Sequence, residues 1–386
     1  MAGEQAQVGG TARALRAPVR VFDLHCDTID YLGMRELEPY GPKIAETLAS
    51  RGLDPTGADP YPEDLMHNRG SIALDRVGPG RRLLWAQCFA VWVPDLYHRH
   101  GARLFYQKAL DYFRSQLAAY PDRVEQVRDA RRVDEVLAAG KVPALLTVEN
   151  ASLLNHSVRA VDDLAADGVK MISLTWNDRN PIGSGNLTSD GLTTFGREAV
   201  RALEDARIVI DASHLNVASF ADLVDVARRP FAASHSNSRA VCDDPRNLTD
   251  DEFRAVRDAG GVVGLSFHRG FITHRDVSAT APDTMMPGAW NAEELARRMA
   301  TSDPFDPADV TFDELAAHVE HFLDLGGADT VCLGSDFDGS DTPAWLASCG
   351  RMPVLYDLMT RWFGDELADK LFYTNARDFF ARNETA

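Results

Sequence analysis

Residues 19–28 read VRVFDLHCDT, a β-prone run that ends on His25 and Asp27. Two positions apart on a strand, both side chains project to the same face. A neutral imidazole beside a carboxylate suits zinc or a related divalent ion. A lone His-x-Asp is more often a hydrogen-bonded core histidine next to a turn, so recurrence has to carry the reading. The pattern does recur. Glu149 closes ALLTVEN (144–150), His214 closes IVIDASH (208–214), His235 closes FAASHS (231–236), and Asp336 sits in VCLGSDFDG (331–339). A strand ending in a polar side chain delivers it to one rim of a sheet. Several such strands aimed at one rim build a metal site.

The intervening chain supports that geometry. Apolar β-prone runs fall near 19–27, 83–92, 142–150, 171–176, 208–214, 231–236, 262–267 and 330–336. They lack clean apolar/polar alternation, as parallel strands buried on both faces do. Amphipathic stretches lie between them at 104–118, 196–206, 217–228, 249–259 and 308–325. In the first, Leu104, Ala109, Phe113 and Leu117 recur at helical intervals. Thr249 before Asp250, Asp251 and Glu252 reads as a cap with an acidic first turn, and Gly260-Gly261 as the stop. Eight strands alternating with helices predict an α/β fold, a (β/α)8 TIM barrel. Residues 1–18 read as a flexible leader and 19–386 as a single barrel domain with C-terminal helices. The long connections 28–82 and 268–307 follow strands, so they are expected above the rim as walls or lids.

Forty basic and 58 acidic residues leave a formal charge of −18, which repels phosphate backbones and anionic lipids. Neither nucleic acid nor a membrane is expected as a partner. No apolar run approaches the roughly 20 residues that span a bilayer. Five scattered cysteines without a CxxC fit reduced thiols in a cytoplasmic protein. A short peptide is the expected ligand, and a homodimer is an open possibility for assembly.

Five ligands are too many for one tetrahedral zinc with an open position. They fit two metal ions sharing a carboxylate, with water between them as the nucleophile. Glu149 is the natural bridge, with His25 and Asp27 on one ion and His214 and His235 on the other. Asp336 at the end of the last strand can take a proton from that water and pass it to a leaving amine. Asp338-Gly339 fits a polar turn. Seven other histidines (His98, His100, His156, His268, His274, His318 and His321) fall in loops or helices, where surface roles are the default. Lys170 begins its strand and so belongs to the opposite rim. No GxSxG elbow or GxGxxG fingerprint is present.

With these segments in place the chain resembles the renal or membrane dipeptidases, zinc peptidases of the M19 type, from about Val19 to Phe380. DLHCDT looks like that family's DxHxD strand-one motif and LTVEN carries its bridging glutamate. GLTTFGREAV with IVIDASH, SHSNSRAVCDDPRNLTDDE and GSDFDG are similar to its later motifs. The resemblance implies two zinc ions held by His25, Asp27, Glu149, His214 and His235, with Asp336 as proton shuttle. It further implies that Arg246 grips the free C-terminal carboxylate of a dipeptide, a task an arginine fork suits. Two positions depart from the pattern. Cys26 replaces a common asparagine and should face away from the metals. Trp176 stands where many members carry a substrate-contacting histidine, and an indole can donate one hydrogen bond but carry no positive charge. Hydrolysis of another amide, such as an N-acyl amino acid, and a non-catalytic metal-binding scaffold are the competing expectations.

Overall fold

The computed structural model describes residues 17–33, 63–97, 100–277 and 302–385. The expected leader, except for its last two residues, lies outside them, as do His98 and most of both long connections.

Among the described residues, nine strands form one parallel sheet. They are β1 (Val19–Cys26), β2 (Leu83–Trp92), β3 (Val124–Gln126), β4 (Val142–Glu149), β5 (Val169–Ser173), β6 (Val209–Asp211), β7 (Ala232–Ala233), β8 (Val262–Leu265) and β9 (Val331–Leu333). Pairing runs β2-β1-β9-β8-β7-β6-β5-β4-β3, and a further β2–β4 pairing closes eight strands into a ring. β3, which the sequence reading missed, hangs on the outer side of β4. The fold is a TIM barrel.

Strand parity sorts the core into two layers. Phe22, Leu24, Ala86, Cys88, Leu145, Met171, Val209, Ala232, Val262 and Cys332 fill the barrel interior. Val21, Trp85, Phe89, Leu146 and Ile172 face the surrounding helices. The C-terminal helix Asn375–Thr385 closes the floor, and Phe380 stacks on Phe22 at 5.5 Å between ring centres. Lys170 is also at the floor, 2.5 Å from Glu384. That is the rim expected for it, opposite the strand ends that carry the candidate ligands.

Local rules explain the surrounding helices. Thr249 and Thr311 each form a capping box, with Glu252 and Glu314 respectively, which satisfies N–H groups that a helix start leaves unpaired. The helix His100–Ala119 is longer than expected and rotated from the expected face. Ala102, Phe105, Tyr106, Ala109, Leu110 and Phe113 are buried, while Leu104 is 46% exposed. The five cysteines are free and buried, and Cys26 packs into the outer core. Among the described residues no helix is long and apolar enough to cross a membrane.

Candidate metal centre

The strands end short of the residues they were expected to present. His214, His235 and Asp336 lie in the turns just beyond β6, β7 and β9, and His214 and Asp336 take left-handed backbone angles (φ 71° and 61°). Asp211 is the local cause at two of these turns. Its Oδ1 accepts N–H groups from both Ser213 and Ser234, drawing the chain out of the ladder. On β1 the register with β2 slips by one residue between Asp23 and Cys26. A bulge of this kind re-aims side chains. It lets Leu24 fill the interior while His25 turns into the mouth and Cys26 turns out.

The five expected ligands and Asp336 converge. His25 Nε2 lies 3.3 Å from Asp27 Oδ2, 3.5 Å from Glu149 Oε2 and 3.9 Å from Asp336 Oδ1. The other Glu149 oxygen lies 2.6 Å from His214 Nε2, which faces His235 Nε2 at 3.0 Å. Three groups each hold ligand atoms within 4.8 Å of one another: His25/Asp27/Glu149, Glu149/His214/His235 and His25/His235/Asp336. Glu149 is common to the first two.

Hydrogen bonds around the rings test whether a cation fits. Asn177 Oδ1 is 3.0 Å from His214 Nδ1, so the proton of a neutral His214 belongs on Nδ1. Ser234 Oγ donates to Asp211 Oδ2 at 2.5 Å and lies 2.8 Å from His235 Nδ1. That hydroxyl therefore accepts from His235, placing its proton on Nδ1 as well. With these tautomers two bare Nε2 lone pairs face each other, and one of them also faces a carboxylate. Without a cation this arrangement is repulsive. His25 Nε2 and Asp27 Oδ1 are buried with no hydrogen-bond partner. A metal ion satisfies all of these atoms at once, and braces of this kind hold ligating histidines in place.

Electrostatics agree. Burial, with Arg246 adding to it, pushes His214 down to about 4, and burial and His25 hold His235 well below its usual range. Both rings are neutral, as a ligand must be. His25 differs: burial opposes its charge, but Asp27 and Glu149 outweigh it and raise its pKa well above normal, so a cation bound there would have to displace that proton. Burial likewise opposes charge on Glu149, yet His214 and His25 hold it below the carboxylate range. Burial pushes Asp336 up to about 8, against the pull of His25 and with the push of Asp27 and Glu149.

Other residues fix the rim. Asp23 accepts from Ser335 N–H at 2.8 Å and from Ser335 Oγ at 2.6 Å, tying β1 to the end of β9. Asp338 accepts from Thr28 Oγ1 at 2.6 Å and Ser71 N–H at 2.5 Å, so it anchors the segment that approaches from the first long connection. Gly339 lies so close that a Cβ there would stand 1.8 Å from Asp27 Oδ2. None of these was singled out as a site residue, although Asp23 occupies the first position of DxHxD and Asp211 lies three residues before His214.

Above the centre is a cavity of about 460 Å³, within the range of small-molecule sites. Arg246 lines it, buried, with its guanidinium 5.2 Å from the Phe271 ring and weak contacts to Ser236 Oγ (3.5 Å) and the His235 carbonyl (3.4 Å). Its Nε has no hydrogen-bond partner. Trp176 and Trp92 form part of the wall. Two histidines depart from the surface default. His268 lines the cavity, and His318 is fully buried, accepting from Ser238 N–H at 3.1 Å with its other nitrogen 3.0 Å from the Ile272 carbonyl. Arg179 points away, exposed and paired with Asp190 at 2.7 Å.

Comparison with known proteins gives the same direction. A protein of Klebsiella pneumoniae, named only as an uncharacterized protein in the pqqA 5′ region, is 31% identical over 63% of this chain and 81% of its own length. Two solved structures share the fold. One is a metallopeptidase of family M19, the dipeptidase AC, with a TM-score of 0.74 and 24% identity over 96% of this chain and all of its own. The other is a Rhodobacter sphaeroides metallopeptidase bound to a phosphinate mimic of the dipeptide L-Ala-D-Ala. Its TM-score is 0.73, with 22% identity over 95% of this chain and 99% of its own. The sequence pattern of the membrane dipeptidases matches residues 11–384, nearly the whole chain, and the protein belongs to that family, peptidase family M19.

Proposed function

We propose that this metallopeptidase hydrolyses dipeptides with a free C-terminal carboxylate, using two zinc ions. His25 and Asp27 would hold one ion and His214 and His235 the other, with Glu149 within reach of both. When bound, the ions supply Lewis acidity at the scissile carbonyl and make water nucleophilic near neutral pH. The observation that carries this reading is the facing pair of imidazole lone pairs beside a carboxylate shared with the His25–Asp27 group.

The chain's own groups account for the remaining work. Arg246 binds the substrate carboxylate through its free donor edge, and burial strengthens that pairing. Asp336, 3.9 Å from His25, receives a proton at its carboxylate and returns it to the departing amine. Ser234 and Asn177 keep the two imidazoles in one tautomer, and Asp211 orients Ser234. A second reading, cleavage of an N-acyl amino acid, keeps every role except recognition of a free amine. The aromatic wall of the cavity is what favours it.

The test is a substrate screen on zinc-loaded protein with L-L and L-D dipeptides, their C-terminal amides and N-acyl amino acids. The phosphinate bound by the Rhodobacter relative makes L-Ala-D-Ala a natural member of the panel. Dipeptide turnover that drops to a weak residual level on the amides, with about two ions per chain by elemental analysis, is the expected result. Saturation at one ion, or turnover of the acylated compounds alone, rules the first reading out.

A further inference from the structure

In the ring β1-β2-β4-β5-β6-β7-β8-β9, β4 stands opposite β8. Arg246 follows β7 and Phe271 follows β8, so both belong to one side of the mouth. Trp92 ends β2 and Trp176 follows β5, so they flank Glu149 at the end of β4 on the other side. Trp92 is the register partner of Glu149 itself. The two indoles meet edge to face at 5.0 Å and 67°, and Trp176 lies 6.3 Å from the His214 ring. Both line the cavity and both are half-buried, so each keeps surface toward it. Their backbones are pinned. Trp92 N–H donates to Asp30 Oδ2 at 2.7 Å, and Gly185 packs so tightly that a Cβ would lie 1.9 Å from the Trp176 carbonyl oxygen.

We propose that Trp92 and Trp176 form the subsite for the side chain of the substrate's N-terminal residue, and that it selects large apolar side chains, aromatic ones above all. The inference rests on the proposed function. With the carboxylate on Arg246 and the scissile bond over the ligand cluster, the N-terminal residue is the part that crosses toward β2 and β5. Edge-to-face indoles offer it a rigid apolar wall, and aromatic pairs gain beyond simple area burial.

The experiment compares kcat/KM of the zinc-loaded enzyme for Phe-Ala, Leu-Ala, Ala-Ala and Ala-Phe. Calorimetry with non-hydrolysable phosphinate mimics of Phe-Ala and Ala-Ala gives a readout independent of turnover. Phe-Ala should exceed Ala-Ala by about 10- to 100-fold in both, with a far smaller gain for Ala-Phe. Trp92→Ala and Trp176→Leu, checked for metal content, should each compress the Phe-Ala/Ala-Ala ratio to within about threefold. A ratio near one in the parent, or one unchanged in both variants, overturns the subsite. If no dipeptide is cleaved, the proposed function falls, and the phosphinate ratio alone decides the subsite.

Discussion

Replacing Gly339 by alanine adds one methyl group at a place where the centre has no room for it. The glycine's backbone is not in the left-handed region, so alanine can adopt it without conformational cost. The whole effect is steric. The new Cβ would stand 1.8 Å from Asp27 Oδ2, 2.7 Å from its Cγ and 3.0 Å from Asp336 Oδ1. To restore even a 3.0 Å separation the Asp27 carboxylate must retreat by roughly 1 Å or more, and Asp27 N–H is held 2.8 Å from the Phe337 carbonyl on the same turn. The side chain therefore swings away from His25 before the backbone gives. A misplacement of about 1 Å can cost on the order of 100-fold in rate, and overpacking costs about 1–3 kcal/mol of stability. Gly339→Ala is thus expected to fold, to bind about one zinc where the parent binds two, and to lose about two orders of magnitude in kcat. Elemental analysis after gel filtration, with kcat on the best dipeptide, measures both. Gly350→Ala is the control, because its nearest neighbour, Ser348 Oγ, would be 3.7 Å from the new Cβ. A Gly339→Ala protein with two ions and kcat within about twofold of the parent refutes the role given to Asp27.

Three further outcomes are expected. Asp336→Asn should keep the fold and both ions while losing about 10²–10⁴-fold in kcat, and near-parental turnover would remove Asp336 as the proton carrier. Arg246→Lys should raise KM for free dipeptides by about tenfold or more and leave the weak activity on C-terminal amides little changed, since lysine cannot form the two-pronged contact. Equal effects on both substrate types would contradict carboxylate recognition. The third concerns His318, which burial holds at about 4. The unfolded ring titrates near 6.5, so the unfolded chain binds the extra proton between those values. The associated stability is fully present above about pH 6.5, drains as pH falls, and is gone near pH 4, about 3 kcal/mol in all. Urea unfolding of metal-free parent and His318→Gln over that window should show a shallower pH slope for the variant, and parallel slopes would count against it.

The barrel and the residues that converge at its mouth were legible because each strand carries an uninterrupted apolar run into a polar end, a pattern local enough to survive without a third dimension. What the sequence concealed is long-range. The bulge after Asp23 leaves no glycine in VFDLHC to announce it. Trp92 reads as one more apolar strand residue until pairing with β4 seats it beside Glu149. The strand around His235 shrinks to Ala232–Ala233 because Asp211, on the neighbouring strand, takes the N–H of Ser234. His268 lies between Phe267 and Arg269 and His318 between Ala317 and Val319, so the flanking residues alone do not separate either from an exposed histidine. Only the packing of the helix Phe312–Asp324 against the rim buries the second.

Closure of the ring by β1 and β9 has a consequence for how the protein comes into being. Asp23 pairs with Leu333, and its carboxylate takes both bonds from Ser335. One edge of the first strand, which already pairs with β2 on the other, thus waits for the last, and Phe22 waits longer still for Phe380. Contacts of such sequence separation form late, because chain entropy is lost before they repay it. On the ribosome, a nascent chain that has already made its five ligands still has no Asp336 beside them and an open floor beneath. Metal captured at that stage would meet an unfinished cage. Faithful loading of the proposed site would therefore follow release, once β1 and β9 have met.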